Sequence, residues 1–148
     1  MHFKSLIFLF FLLFSLQVFS QNGDDILGNW INDKENKIIN IYKDNDLYYG
    51  KITWLQDTDE SKGEKVLDIK NPNASLKQRN VVGINYLLSF AYFSEREVWK
   101  EGQIYNFKTG NTYTGKIHLT NKNEMELTGY YGILWFLGRT KTWTRTNK

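Results

Sequence analysis

The sequence predicts an all-β protein, a single antiparallel up-and-down β-barrel of about eight strands, and three observations predict it. From Gly28 onward the apolar residues recur with period two, the spacing of a half-buried strand. Turn residues punctuate that pattern at hairpin spacing: Asp44-Asn45-Asp46, Lys108-Thr109-Gly110 and Asn121-Lys122-Asn123. Little of the chain suits a helix, and so many short strands in an open sheet would leave two unpaired edges that closure removes.

The elements follow in order. Gly28-Asn29-Trp30-Ile31 opens the first strand, Lys37 to Lys43 the second and Leu47 to Leu55 the third, the last two forming a hairpin. Gln56 to Asn80 breaks the pattern with a polar run, Asp57 to Gly63, and the turn Asn71-Pro72-Asn73. A connection that long in a compact domain marks either a lid or rim, or a loose link. Strand patterning resumes at Val81 to Tyr86, then at Val98 to Phe107, Thr112 to Leu119, Glu124 to Tyr131 and Arg139 to Thr146. Only Leu87 to Arg96 reads as a segment that could hold a helical turn, because its apolar run lacks strict alternation.

The first twenty residues read as a cleavable export signal: Lys4 supplies a positive start, Leu6 to Phe14 is almost wholly apolar, and cleavage is expected after Ser20. The apolar run is too short for a spanning helix, which needs about 20 residues. Removing twenty of 148 residues leaves 128, room for one domain, residues 21–148, with a core of its own. The chain has no cysteine, which excludes disulfides, thiolate metal sites and cysteine nucleophiles. Removing Lys4 leaves 18 basic against 16 acidic residues, interleaved along the chain, so nucleic acid is not an expected partner. Aromatic residues make up 16% of the chain, most of them Tyr and Trp within strand-like runs, which predicts either a heavily aromatic core or a lined cavity.

Gly28-Asn29-Trp30 resembles the Gly-x-Trp signature of lipocalin and calycin barrels, in which the tryptophan closes one barrel end beneath an arginine from the last strand. The second half is more specific. Gly102-Gln103-Ile104-Tyr105-Asn106, Gly110-Asn111-Thr112-Tyr113, Gly129-Tyr130-Tyr131-Gly132 and Leu137-Gly138-Arg139 through Arg145 come in a fixed order, joined by Gly50-Lys51-Ile52 and by Asn71-Pro72-Asn73 with Leu76, Arg79 and Gly83. Together they resemble the bacterial domain-of-unknown-function family 2147 over nearly the whole mature chain. The resemblance implies a lipocalin-like exported barrel, periplasmic or secreted in a Gram-negative bacterium, and implies no reaction. Some members carry a cysteine pair in the long loop; its absence here keeps any metal or redox role of that loop from carrying over.

Alternation puts Arg139, Lys141, Trp143 and Arg145 on one face of the last strand and four threonines on the other. One arginine, favoured as Arg145, would stack on Trp30 and close the barrel together with Gly28 and Trp143. The competing role is that Arg139 holds a ligand carboxylate inside. Trp54, Trp99, Tyr105, Tyr113 and Tyr131 either line a cavity or fill the core. Ile133 to Leu137, held between Gly132 and Gly138, is apolar where a polar turn is usual, and reads as a loop folded over a barrel end, a ligand portal, or a surface for an envelope protein or membrane.

His118 is the only histidine beyond the signal, so no histidine-based triad or metal cluster arises, and no catalytic residue, metal or cofactor is expected. Asp57, Asp59, Glu60 and Glu64 lack the spacing of a calcium loop and read as a solvated acidic stretch. The expected function is non-covalent binding of a small apolar or amphipathic ligand in the barrel. The alternative is a filled barrel acting through its surface as an interaction or envelope-associated module.

Overall fold

The computed structural model describes residues 21–148 except 57, 59–61 and 63; the expected export signal lies outside the described residues. Eight strands form a closed barrel in sequence order: β1 (Gly28–Asn32), β2 (Lys37–Asp44), β3 (Leu47–Leu55), β4 (Asn85–Phe93), β5 (Val98–Asn106), β6 (Asn111–Asn121), β7 (Glu124–Tyr130) and β8 (Arg139–Arg145). Every pairing is antiparallel, and β1 meets β8 through Trp30↔Arg145 and Asn32↔Trp143. No edge is left exposed, which is how an up-and-down barrel avoids pairing with its neighbours.

Seven of the strands lie where the period-two pattern puts them, to within a residue or two at their ends. The fourth differs. Val81 to Ile84 is a turn, in which the Ile84 N–H donates to the Val81 carbonyl, and the strand runs from Asn85 through the stretch that had suggested a helical turn. Its alternation is irregular because the β3–β4 register slips on both sides of the Gly50↔Leu87 pair, and Ser89 has φ 56°. Such bulges let Tyr86, Leu87 and Phe90 all become buried.

The two ends of the barrel are unlike. A short 3-10 turn, Gly23–Ile26, capped by Asn22, packs under the start of β1 and closes one end. There Trp30, Trp99 and Ile26 are fully buried; the Trp30 Nε1–H donates to the Ile26 carbonyl at 2.8 Å and the Trp99 Nε1–H to the Gly23 carbonyl at 3.1 Å. The middle is solid as well. Phe90 lies so close to Gly102 and Gly115 on the two following strands that a Cβ at either position would overlap its ring. Glycine on β5 and β6 is the means by which one large ring crosses the lumen.

The opposite end receives the end of β1, the start of β2 and the two unusual connections, 56–84 and 131–138. The first packs against the barrel through its second half. Leu67 bridges to Asn80, the Val81 N–H donates to the Val66 carbonyl, and Val81 is fully buried.

Candidate functional site

The open end forms a two-part cup. One part, of about 510 Å³, lies among Ile104, Tyr113, Leu127, Leu134, Leu137 and Arg139; the other, of about 330 Å³, among Lys34, Lys37, Leu55, Val66, Phe107 and Lys108. Tyr86, Asn106 and Lys141 border both. Volumes of this order suit a small organic molecule. Among the described residues five cations line the cup, Lys34, Lys37, Lys108, Arg139 and Lys141, and no carboxylate does. Its walls are aromatic and aliphatic, so it offers apolar surface under a positive potential.

The residues expected to bind a ligand divide between this cup and three other places. Tyr113 and Tyr131 pack at a tilt at its rim with ring centroids 4.6 Å apart, and the interaction of their hydroxyls lowers the Tyr113 pKa and raises that of Tyr131. Arg139 and Lys141 reach the cup from the inner face of β8, opposite Gly129 and Leu127. Trp99 is in the solid closed end, packed edge-on to Tyr48 and 4.8 Å from the Tyr92 ring, and has no access to the cup. Trp54 is on the outside of the barrel: the bulge between Ile38 and Ile39 turns it into an outer groove with Tyr42 and Lys51, under the Lys148 ammonium.

Tyr105 is the third exception. It follows the inward Ile104 and so faces away from the lumen, where the long connection covers it. Its hydroxyl donates to Asp68 Oδ1 at 2.6 Å. Asp68, fully buried, also accepts from Asn71 Nδ2 at 2.7 Å and Arg79 Nε at 2.9 Å, with Arg79 Nη2 at 2.8 Å. Burial alone would raise the Asp68 pKa. The three donors and the Arg79 charge outweigh it and hold the carboxyl below its ordinary value, while burial and the Asp68 bond push Tyr105 up to about 12. The connection is thus fastened to the barrel wall by a buried polar cluster, the lid-or-rim alternative in its fixed form.

Closure involves three of the four residues expected for it. Arg145 stands 4.3 Å over the Trp30 ring, and its guanidinium donates to the carbonyls of Leu27 (2.7 Å), Asp25 (2.7 Å) and Lys122 (3.0 Å). Gly28 has φ 116°, and a side chain there would crowd the Arg145 fork. Trp143 is the exception, since two residues along β8 move it out of the plug and toward the cup, where its ring is 5.9 Å from that of Tyr86.

The residue that sequence reasoning passed over is Lys37. Its side chain turns inward at the start of β2, and its ammonium lies 3.7 Å over the Tyr86 ring, 5.4 Å from that of Trp143 and 5.9 Å from that of Phe107. Burial first, then the charges of Lys141 and Lys108, bring its pKa down to about 7, against a smaller opposite pull from Asp33. Period two contained the signal: Lys37, Ile39 and Ile41 alternate onto one face, and Ile39 and Ile41 are core. Burial also pushes Tyr86 up to about 12.

The loop Gly132 to Gly138 borders the cup with Leu134 and Leu137 and exposes much of its apolar surface, Ile133 by 88% and Leu137 by 67%. Among the described residues no three acidic or histidine side chains gather closely enough to hold a metal ion; Asp57, Asp59 and Glu60 lie outside those residues. His118 is exposed on β6.

A family model described as "Uncharacterized protein conserved in bacteria (DUF2147)" matches residues 28–145. No curated protein matches the chain in sequence. Among solved structures, protein HP1028 from the human pathogen Helicobacter pylori, described as belonging to the lipocalin family, is similar in fold: TM-score 0.71 at 23% identity, covering 82% of this chain and 83% of that one.

Proposed function

The chain belongs to the bacterial DUF2147 family and has a lipocalin-like barrel, and from that premise we propose that it binds a small amphipathic molecule non-covalently at the open end. One observation carries this reading: the barrel is packed solid from its plug to Phe90, yet opens above into a cup of about 510 Å³ with apolar walls and a cationic border. Ligand hydrocarbon against Ile104, Tyr113, Leu127 and Leu134 would supply affinity at about 25 cal/mol per Å² buried. The cations bordering the cup and the tyrosine hydroxyls would orient the polar end. We further infer that residues 1–20 are removed on export and that residues 21–148 act outside the cytoplasm.

Native mass spectrometry of the mature protein from its own host, followed by organic extraction, tests the reading. A stoichiometric small-molecule adduct supports it. A bare protein that also ignores long-chain probes overturns it in favour of the second reading, an interaction module, which the exposure of Ile133, Phe136 and Leu137 favours. In that case serine at Ile133 and Leu137 would abolish capture of an envelope protein or a lipid surface.

A further inference from the structure

Lys37 is placed in the cup with care. It follows the β1–β2 turn, where buried Asn32 accepts from the backbone N–H groups of Asn36 (3.1 Å) and Lys37 (2.9 Å) and donates to Asn36 Oδ1 at 2.8 Å. The turn therefore fixes where β2 begins and which way its first side chain points. Among the described residues the Lys37 ammonium has neither a hydrogen bond nor an ion pair, only the three aromatic rings around it. The charged groups that face it are Asp33 from the β1–β2 turn, Lys108 from the β5–β6 turn and Lys141 from β8; Tyr86 meets it from β4.

A second donor nearby also lacks a partner. Trp143 is 1% exposed, and its indole Nε1–H has no acceptor. A buried donor without an acceptor costs about 1–3 kcal/mol, but Trp143 does not line the cup, so of these two groups it is the Lys37 ammonium that a ligand can reach. An unpaired ammonium, in a cup that among the described residues is lined by five cations and no carboxylate, asks for a compact group that only accepts hydrogen bonds and carries negative charge.

We propose that the Lys37 side of the cup is the seat for the carboxylate of an amphipathic acid, with Lys37 Nζ as its direct partner and Lys108 and Lys141 adding field. The hydrocarbon of that acid lies in the larger part, toward Tyr113 and Leu134. The assignment rests on the ligand-binding reading above and deepens it: the acid group goes to the inner lysine and not to the rim arginine. Because burial and the charges of Lys141 and Lys108 bring the Lys37 pKa down to about 7, an arriving carboxylate raises it, and binding above neutral pH takes up a proton from solution.

Calorimetric titration of the mature protein with decanoate and with decan-1-ol, which differ in the head group, tests this. Decanoate should bind at least tenfold more tightly than decanol. At pH 8 its binding heat should vary with the ionisation enthalpy of the buffer, reporting proton uptake. Lys37→Gln should remove both the preference and the buffer dependence, weakening decanoate binding at least tenfold more than decanol binding, and Arg139→Gln should keep the buffer dependence; Lys37→Met, judged folded by circular dichroism, serves where the glutamine variant fails to fold. Equal affinity for acid and alcohol, or a preference that survives Lys37→Gln, overturns the seat and leaves the cup standing. Binding of neither probe overturns the cup and the seat with it.

Discussion

Replacing Lys37 with methionine should stabilise the barrel, and the gain should depend on pH. The pKa falls from 10.5 to about 7, a drop of about 3.5 units, which at about 1.36 kcal/mol per unit corresponds to about 5 kcal/mol against the charged form. Partial solvent exposure reduces that figure, and the attraction of the ammonium to the Tyr86 face returns about 1–2 kcal/mol, leaving a penalty of about 2–3 kcal/mol. Below pH 7 both folded and unfolded chains carry the proton and the folded state bears the whole penalty. Between pH 7 and 10.5 the folded amine is neutral while the unfolded chain still holds its proton, so raising the pH progressively relieves the penalty. Lys37→Met should therefore exceed the parent by about 2–3 kcal/mol at pH 6.5 and converge on it near pH 10.5. Urea unfolding of both proteins at pH 6.5, 8 and 9.5 measures this. Parallel stability–pH curves would refute the reasoning, since they would mean that the amine titrates alike in both states.

Other perturbations follow from the same packing. Gly115→Ala places a methyl group against the Phe90 ring and should cost about 1–3 kcal/mol in urea unfolding, with the β5–β6 pairing loosened in hydrogen exchange. Arg145→Lys keeps the charge over Trp30 but loses the fork that reaches the Leu27, Asp25 and Lys122 carbonyls, and should lower Tm with a loss of about 2 kcal/mol. Asp68→Asn breaks the pair with Arg79 and should cost about 3 kcal/mol at neutral pH, seen as faster hydrogen exchange across 66–84. The stabilisation from Asp68 is present above its unfolded value of 3.8 and is lost as pH falls through its lowered folded value, so parent and variant should converge in acid.

Most of the barrel was legible because a strand in a closed sheet obeys one rule, alternation, and its turns need a small set of residues. The same rule put Arg145 with Trp30 and put Lys141 and Arg139 on the inner face of β8. Alternation assigns a face, however, and not a height along the barrel. Trp143 shares a face with Arg145 and was expected in the plug, yet two residues of rise carry it to Tyr86. Bulges defeat the rule outright: the slip at Ile38/Ile39 sends Trp54 outside, and the slips around Gly50↔Leu87 disguised β4 as a candidate helical turn. Tyr105 was misread for another reason. Its face is the outer one, and it is buried only because a distant segment, fastened through Asp68, folds over it.

Tyr113, Tyr131 and Arg139 of the cup were legible, but its Lys37 side was not, because the lining was sought mainly among aromatics rather than among the cations that the strands present at the open end. Extending the Ile39–Ile41 alternation back by two residues reaches Lys37; extending the Trp143 alternation back reaches Lys141 and then Arg139. In a barrel whose core were merely filled, an apolar side chain at these positions would avoid the desolvation and mutual repulsion that lower the Lys37 pKa to about 7. The inward Lys37, set above a core of tryptophan and phenylalanine and facing the exposed Lys141, is therefore poorly explained by stability. Its placement is the ground for the proposed carboxylate seat.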